Sequence, residues 1–294
     1  MKIIILSLSE NIYSTDRLVA EAEHRGHQVK VVNHTKCSVL VSDNGSKVIF
    51  EGENILNQAD VIIPRIGYSV FRHGVAVVKE FEQNGIYTTA SAMGIRISQN
   101  KVSTLQKLAR RDIAIPKTMF SINPNTIDQQ IELLGGAPII IKLQEGTHGL
   151  GVILAESNKS AKSIIDTFIS MDTSIMLQEF VQESNGEDIR AIVTGDTIVA
   201  CMKRIGSKDD FRSNIHRGGS GQRVQLTHKE EEIVLRASKY LDLPVCGVDL
   251  IRSKRGSLLI EVNSTPGFQG MEYYTNVNVA EEIIKFIEKE YVSK

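Results

Sequence analysis

The chemical pattern that stands out is formed by two carboxylates and an amide near the C-terminus: Asp249 in Gly247-Val-Asp-Leu-Ile251, then Glu261 and Asn263 in Leu258-Leu-Ile-Glu-Val-Asn263. The intervening Ser253-Lys-Arg-Gly256 predicts a hairpin, and a fold centred on Arg255 sets Asp249 opposite Glu261. Like charges opposed across a strand pair repel by roughly 0.2 to 1 kcal/mol, and by more between walls such as Val248, Leu250, Ile260 and Val262. A cation is therefore expected between them. Glu261 and Asn263 stand at i and i+2, on one face of a strand, and an all-oxygen set of two carboxylates and one amide suits Mg²⁺ or Mn²⁺. A solvated face with incidental acids is the alternative; the flanking apolar alternation argues for burial instead.

Upstream, Pro138-Ile-Ile-Ile-Lys-Leu143 sets Lys142 in an apolar strand that runs into Glu145-Gly-Thr-His-Gly-Leu-Gly151. A buried ammonium needs an anion, and closely spaced glycines let backbone N–H groups approach one. Gly146, Gly149 and Gly151 alone fit a flexible turn as well as a nucleotide loop, and they match neither a Walker loop nor a Rossmann fingerprint. The strand lysine favours a phosphate cradle. Leu177-Gln-Glu-Phe-Val181 ends a strand with Glu179 and Phe180, and Glu187-Asp-Ile-Arg190 follows a polar loop. Carboxylates there can accept from ribose hydroxyls and a strand edge can read adenine, although a charged surface loop fits the residues equally. Arg190 and Arg204 flank the Gly195-Asp196 hairpin and are candidates for one shared anion, against the commoner surface role of strand arginines. Phe211-Arg-Ser-Asn-Ile-His-Arg-Gly-Gly219 lacks any periodicity and reads as an active-site flap, in which His216 suits acid–base chemistry or phosphate contact alike.

These groups need a scaffold. Ile3 to Leu6 predicts a buried strand, Ser14 a cap for a helix over 15–25, and Gln28 to Val32 a second strand, a βαβ opening. Asp60 to Pro64, a helix over 74–84 and a short strand from Tyr87 extend it into an open α/β sheet. A single helix is expected over 98–111, with the domain boundary near Gly94 to Ile97, giving units of 1–97 and 98–294. Beyond Pro116 the strands 139–143, 175–180, 189–194 and 197–204, with a helix over 159–168, predict antiparallel sheets with helices packed on them, an α+β arrangement. At 294 residues and a net charge of -1, the chain has room for two domains and no global attraction to nucleic acid. Cys37, Cys201 and Cys246 are too few and too scattered for a disulfide framework or zinc knuckle. The opening apolar run is too short for a signal peptide and no stretch reaches membrane-spanning length, so a cytoplasmic protein is expected.

Taken in order, strand lysine, glycine-rich lid, hinge glutamate, arginine pair, flap and final Asp…Glu-x-Asn resemble the ATP-grasp fold of carboxylate–amine ligases. Asp60-Val-Ile-Ile-Pro-Arg-Ile-Gly67, Gly135-Gly-Ala-Pro138, the 145–151 and 210–219 segments and Glu261-Val-Asn-Ser-Thr-Pro-Gly267 resemble its RimK branch, and the likeness covers nearly the whole chain. The resemblance implies an N-terminal α/β domain followed by an ATP-grasp domain whose two subdomains clasp ATP. It places Lys142 on the nucleotide phosphates, Glu179 and Phe180 at adenine, Asp188 at ribose, and Arg212, Ser213 and Asn214 in the nucleotide-contacting flap. Asp249, Glu261 and Asn263 would hold Mg²⁺ or Mn²⁺, two ions in all. Lys101 matches a second phosphate lysine, preceded here by Asn100 where Asp is usual, and Lys203 replaces a common arginine. The implied reaction adds L-glutamate to the C-terminal glutamate of the sixth small-subunit ribosomal protein (S6) through an acyl phosphate stabilised by Arg190 and Arg204. Neither nucleic acid nor membrane is an expected partner, and a homo-oligomer is compatible. The same chemistry on a cofactor tail, a carrier protein or free glutamate, and a non-catalytic ATP-binding regulatory module, are the competing functions.

Overall fold

The computed structural model describes residues 1–120, 122–144, 151–207 and 218–292. In chain order the first elements are β1 (Lys2–Leu6), α1 (Tyr13–His24), β2 (Gln28–Val32), β3 (Ser38–Ser42), β4 (Gly45–Phe50), β5 (Glu53–Asn54), β6 (Val61–Pro64), α2 (Phe71–Gln83) and β7 (Tyr87–Thr88). Among the described residues they form a parallel sheet ordered β2-β1-β6-β7 and a small antiparallel sheet of β3, β4 and β5. The run Ile3 to Leu6 is continuously apolar because both its faces are covered: Ile4 and Leu6 enter one core, Ile3 and Ile5 another. Ser14 does not cap α1. The helix begins one residue earlier, and the Ser14 hydroxyl accepts a hydrogen bond from Arg65 instead.

Two helices, α3 (Ala92–Ser98) and α4 (Lys101–Ala109), replace the single one expected over 98–111. Asn100 makes the break: its side chain accepts from the Ser103 amide at 2.9 Å and caps α4, a role in which Asn serves as well as Asp. Then come β8 (Thr118–Phe120), α5 (Ile127–Leu134), β9 (Ile139–Leu143), β10 (Val152–Ala155), α6 (Asn158–Ser170) and β11 (Ile175–Glu179), giving an antiparallel sheet ordered β10-β9-β11-β8. The chain continues through β12 (Glu187–Thr194), β13 (Thr197–Ile205), β14 (Ser220–Arg223), α7 (His228–Leu241), β15 (Val245–Ser253), β16 (Gly256–Asn263), α8 (Gln269–Thr275) and α9 (Val279–Val292). Its strands form an antiparallel sheet ordered β14-β13-β12-β15-β16.

Burial divides the molecule unevenly. One core joins Ile4, Ile62, Phe81 and Ile95 to Ala191, Leu241, Val248 and Val262; a second joins Ile5 and Leu18 to Met202, Phe268 and Ile284. The early parallel sheet and the late antiparallel sheet therefore bury their apolar faces together. Residues 127–177 keep a separate core of Ile131, Ile139, Ile141, Ile165 and Leu177. Among the described residues, no helix is long and apolar enough to cross a membrane.

Candidate active site

The turn Lys254-Arg255 has two residues, with Ser253 opposite Gly256, and a regular ladder from that turn would set Asp249 against Ile260. A β-bulge between Asp249 and Leu250 inserts one residue of β16, and Asp249 meets Glu261 as expected. The bulge also changes the phase of β16. Leu259 and Val262 both enter the shared core beside Val248 and Leu250, leaving Glu261 and Asn263 on the other face.

The cation beside Asp249 is supplied by the chain itself. Arg190 donates to it through Nε and Nη2 at 2.7 and 2.6 Å, and Arg204 adds a third hydrogen bond at 2.9 Å. Burial opposes the charged form of Asp249, yet the two guanidiniums outweigh it and hold the carboxyl well below the usual range. These guanidiniums compensate Asp249 from within the chain, and their described hydrogen bonds do not extend to Glu261. Arg190 and Arg204, expected to share a ligand anion, here both donate to the Asp249 carboxylate. Although Arg190 lies opposite Met202 and Arg204 opposite Asp188, the two positions share a sheet face. Arg204 also grips Asp188 through two hydrogen bonds of 2.6 Å, so the carboxylate assigned to ribose is committed to a guanidinium. Lys203 pairs with Glu187 at 3.0 Å.

Lys142 faces this cluster from the other sheet. Its Nζ donates to Gln178 Oε1 at 2.7 Å, and Gln178 in turn donates to Thr118 Oγ1 at 2.8 Å. Burial pulls the ammonium down to about 8; Glu261, Asp188 and Asp249 act to restore it, while Lys101, at the start of α4, acts against it. Lysines and acids therefore converge from three separate parts of the fold. Glu261 has no described partner, and the buried Nδ2 of Asn263 is left without one. No group of three or more His, Cys, Asp or Glu among the described residues is arranged for a metal.

Glu179 and Phe180 lie apart from the acids, at the end of β11. The Glu179 carboxylate accepts from the Lys117 amide at 2.6 Å and from both terminal nitrogens of Arg255. Burial works against its charge, but Arg255 and the amide outweigh that and hold the pKa low. Gly151 has a structural reason of its own: φ is +75°, and an added Cβ would lie 2.4 Å from Leu143. Gly146, Gly149, Arg212, Ser213, Asn214 and His216 lie outside the described residues. Sequence reasoning gave no role to Gln178, Arg255 or Arg65. Arg65 carried the same signal as Lys142, a charge at the end of an apolar strand, and could have been weighed in the same way.

Two antiparallel sheets facing each other, with a desolvated lysine on one and paired acids on the other, define a nucleotide-clasping ligase architecture. A family model described as the RimK-like ATP-grasp domain matches residues 98–287, and one described as the RimK PreATP-grasp domain matches residues 1–95. The chain belongs to the RimK-like ATP-grasp ligases, enzymes that form C–N bonds at the expense of ATP. It is 46% identical to a probable alpha-L-glutamate ligase of Vibrio atlanticus, over 98% of this chain and 96% of the relative. With that of Aliivibrio fischeri it shares 44% identity over 100% and 97%. Among solved structures, the ATP-grasp ligase PsnB complexed with minimal precursor, Mg and ADP superposes with a TM-score of 0.77 at 16% identity, covering 99% of this chain and 98% of that one. A RimK domain protein from Sphaerobacter thermophilus gives 0.73 at 18%, covering 97% and 99%.

Proposed function

We propose that this protein adds L-glutamate to a protein C-terminus, with the terminal glutamate of ribosomal protein S6 as acceptor. The observation that carries this reading is the convergence of Lys142 and Lys101 with Asp188, Asp249 and Glu261, in a chain whose full-length relatives are named as glutamate ligases.

A carboxylate is a poor electrophile. An acceptor carboxylate oxygen first attacks the γ-phosphorus of ATP, the bond to the β-phosphate oxygen breaks, and ADP leaves. The glutamate amine then attacks the acyl carbon, loses a proton, and inorganic phosphate departs as the amide forms. Both steps need charge neutralisation and alignment rather than a nucleophilic side chain. Lys142, with Lys101, holds the triphosphate. Arg190 and Arg204 bear on the transferring phosphoryl and the acyl phosphate, and Glu179 and Phe180 border adenine. The ribose contact falls to Asp188, oriented by Arg204.

The donor set fits a divalent metal: Asp249, Glu261 and Asn263 carry oxygen atoms of the kind that Mg²⁺ and Mn²⁺ take as ligands. These three residues would hold Mg²⁺ or Mn²⁺, two ions by our reading, which supply further neutralisation to the phosphates. Incubation of enzyme, ATP, Mg²⁺ and glutamate with S6, a carrier protein or free glutamate, followed by intact-mass analysis, tests the assignment. S6 should gain whole glutamate residues with matching ADP release. An unchanged S6 mass with another acceptor extended rejects S6 alone, and no ADP release with any acceptor rejects the ligase reading.

A further inference from the structure

Among the described residues, two largely covered arginines come with carboxylates: Arg190 with Asp249, and Arg204 with Asp188 and Asp249. Arg65, which follows β6, does not. It is 9% exposed, and Nη2 donates to Ser14 Oγ at 2.7 Å and to the Pro266 carbonyl at 2.9 Å, while Nε has no partner. No described acid forms an ion pair with it, and burial alone draws it down to about 10. The Phe268 ring, 5.7 Å away, provides a weakly compensating face. A buried cation held by neutral oxygens and a ring is an uncompensated charge, and such charges are costly unless an anion arrives.

The surroundings are prepared for one. Ser264 Oγ and Thr265 Oγ1, next in sequence to Asn263, are buried without partners. Ser14 and Thr15 lie in the first turn of α1; the Thr15 amide already donates to the Ile12 carbonyl at 2.7 Å, and it is the helix field at this end that favours an anion. Gly67 and Gly267 flank the two segments that Arg65 and Pro266 bring together. Neither has a positive φ, and a Cβ at either position would meet nothing within 4 Å. Neither backbone conformation nor crowding requires glycine there, so its effect is to leave room.

We propose that Arg65, with Ser14, Ser264 and Thr265, forms a recess for the carboxylate of the amino acid being ligated, a deepening that rests on the ligase reading above. A single guanidinium matches one carboxylate charge, whereas on the ligase reading phosphate groups are served by Lys142 on β9 and Lys101 at the start of α4. Carboxylate here can come from free glutamate or from the acceptor terminus, and separate Michaelis constants tell the two apart.

The test uses full-length Arg65→Gln, Arg65→Lys and Gly267→Ala proteins, with glutamate, acceptor and ATP varied in turn. Arg65→Gln should raise KM for glutamate about ten- to hundredfold, the weight of a charge-assisted pair, leaving KM for ATP within about twofold. Arg65→Lys should recover part of that loss. Gly267→Ala enters open space, so thermal stability should hold while KM for glutamate rises severalfold. Replacing glutamate by its α-amide, which lacks the α-carboxylate, should cost wild type heavily and Arg65→Gln little, a loss of discrimination that a merely structural role would not produce. An increase confined to KM for the acceptor assigns the recess to the acceptor terminus. If wild type ligates glutamate and both constants are unchanged in folded Arg65→Gln and Gly267→Ala proteins, the recess is refuted and the ligase reading survives. If wild type itself fails to ligate, the underlying reading falls first.

Discussion

Lys142 shows how burial of one charged residue couples protonation to folding. Its pKa is pulled down from 10.5 to about 8 by burial, so the unfolded chain retains the proton to higher pH. Between those values the unfolded state binds more protons, and stability rises with pH across that interval. On the proposed role of Lys142, nucleotide affinity should move the other way, because only the ammonium would attract phosphate. Equilibrium titration of ATP should show binding weakening as pH rises through about 8, by up to about tenfold per pH unit, with that inflection absent from Lys142→Arg. A flat wild-type profile would count against the lysine's role. Lys142 was legible in sequence because an ammonium in an apolar strand is anomalous by itself. The contacts of Arg190 and Arg204 were not legible: the sequence suggested a shared ligand anion, and their common contact with Asp249 depends on pairing between strands, 59 residues apart in the Arg190–Asp249 contact.

At the scale of elements, the acid hairpin is anchored from behind by α7. Glu230 closes a reciprocal cap with Thr227 and accepts from Arg252 at 2.8 and 2.9 Å and from Ser257 at 2.7 Å. Although burial opposes its charge, these donors bring its carboxyl down to about 2 from 4.5. Glu230→Gln should destabilise the protein by about 1 to 3 kcal/mol in urea unfolding at neutral pH. Since the folded pKa is depressed, that difference is full above about 4.5 and closes as pH falls towards about 2. A gap that persisted undiminished under acid would show that the carboxylate charge is not its source. Periodicity located the hairpin but not its bulge, which arises because Leu259 and Val262, three apart, both demand the core. The split between α3 and α4 was equally hidden: Asn100 caps one helix, yet its propensity alone does not forbid one continuous helix.

For the whole molecule, the first and last portions form one body. Beyond the shared cores, Arg25 and His27 pair with Glu288 at 2.6 and 2.9 Å, and Tyr13 donates to Glu272 at 2.7 Å. Gly94 packs so closely that a Cβ would lie 2.6 Å from the Leu241 carbonyl. Native-state hydrogen exchange should therefore show β1 and β6 protected as a unit with β12 and β15, while β9 and β11 open separately. Exchange of β1 and β6 independently of β12 would contradict this. Sequence reading placed the open α/β sheet and the antiparallel sheets in order along the chain, but the fusion of cores was beyond it, since no local pattern states which apolar faces meet. One mechanical consequence follows from the separate core of 127–177. The unit that carries Lys142 has its own core, whereas Asp249, Glu261 and Arg65 belong to the portion with the shared cores, so a rigid shift of that unit would move Lys142 relative to the other three. Such a shift would reset the reach from lysine to acids and leave Arg65 at a constant distance from them.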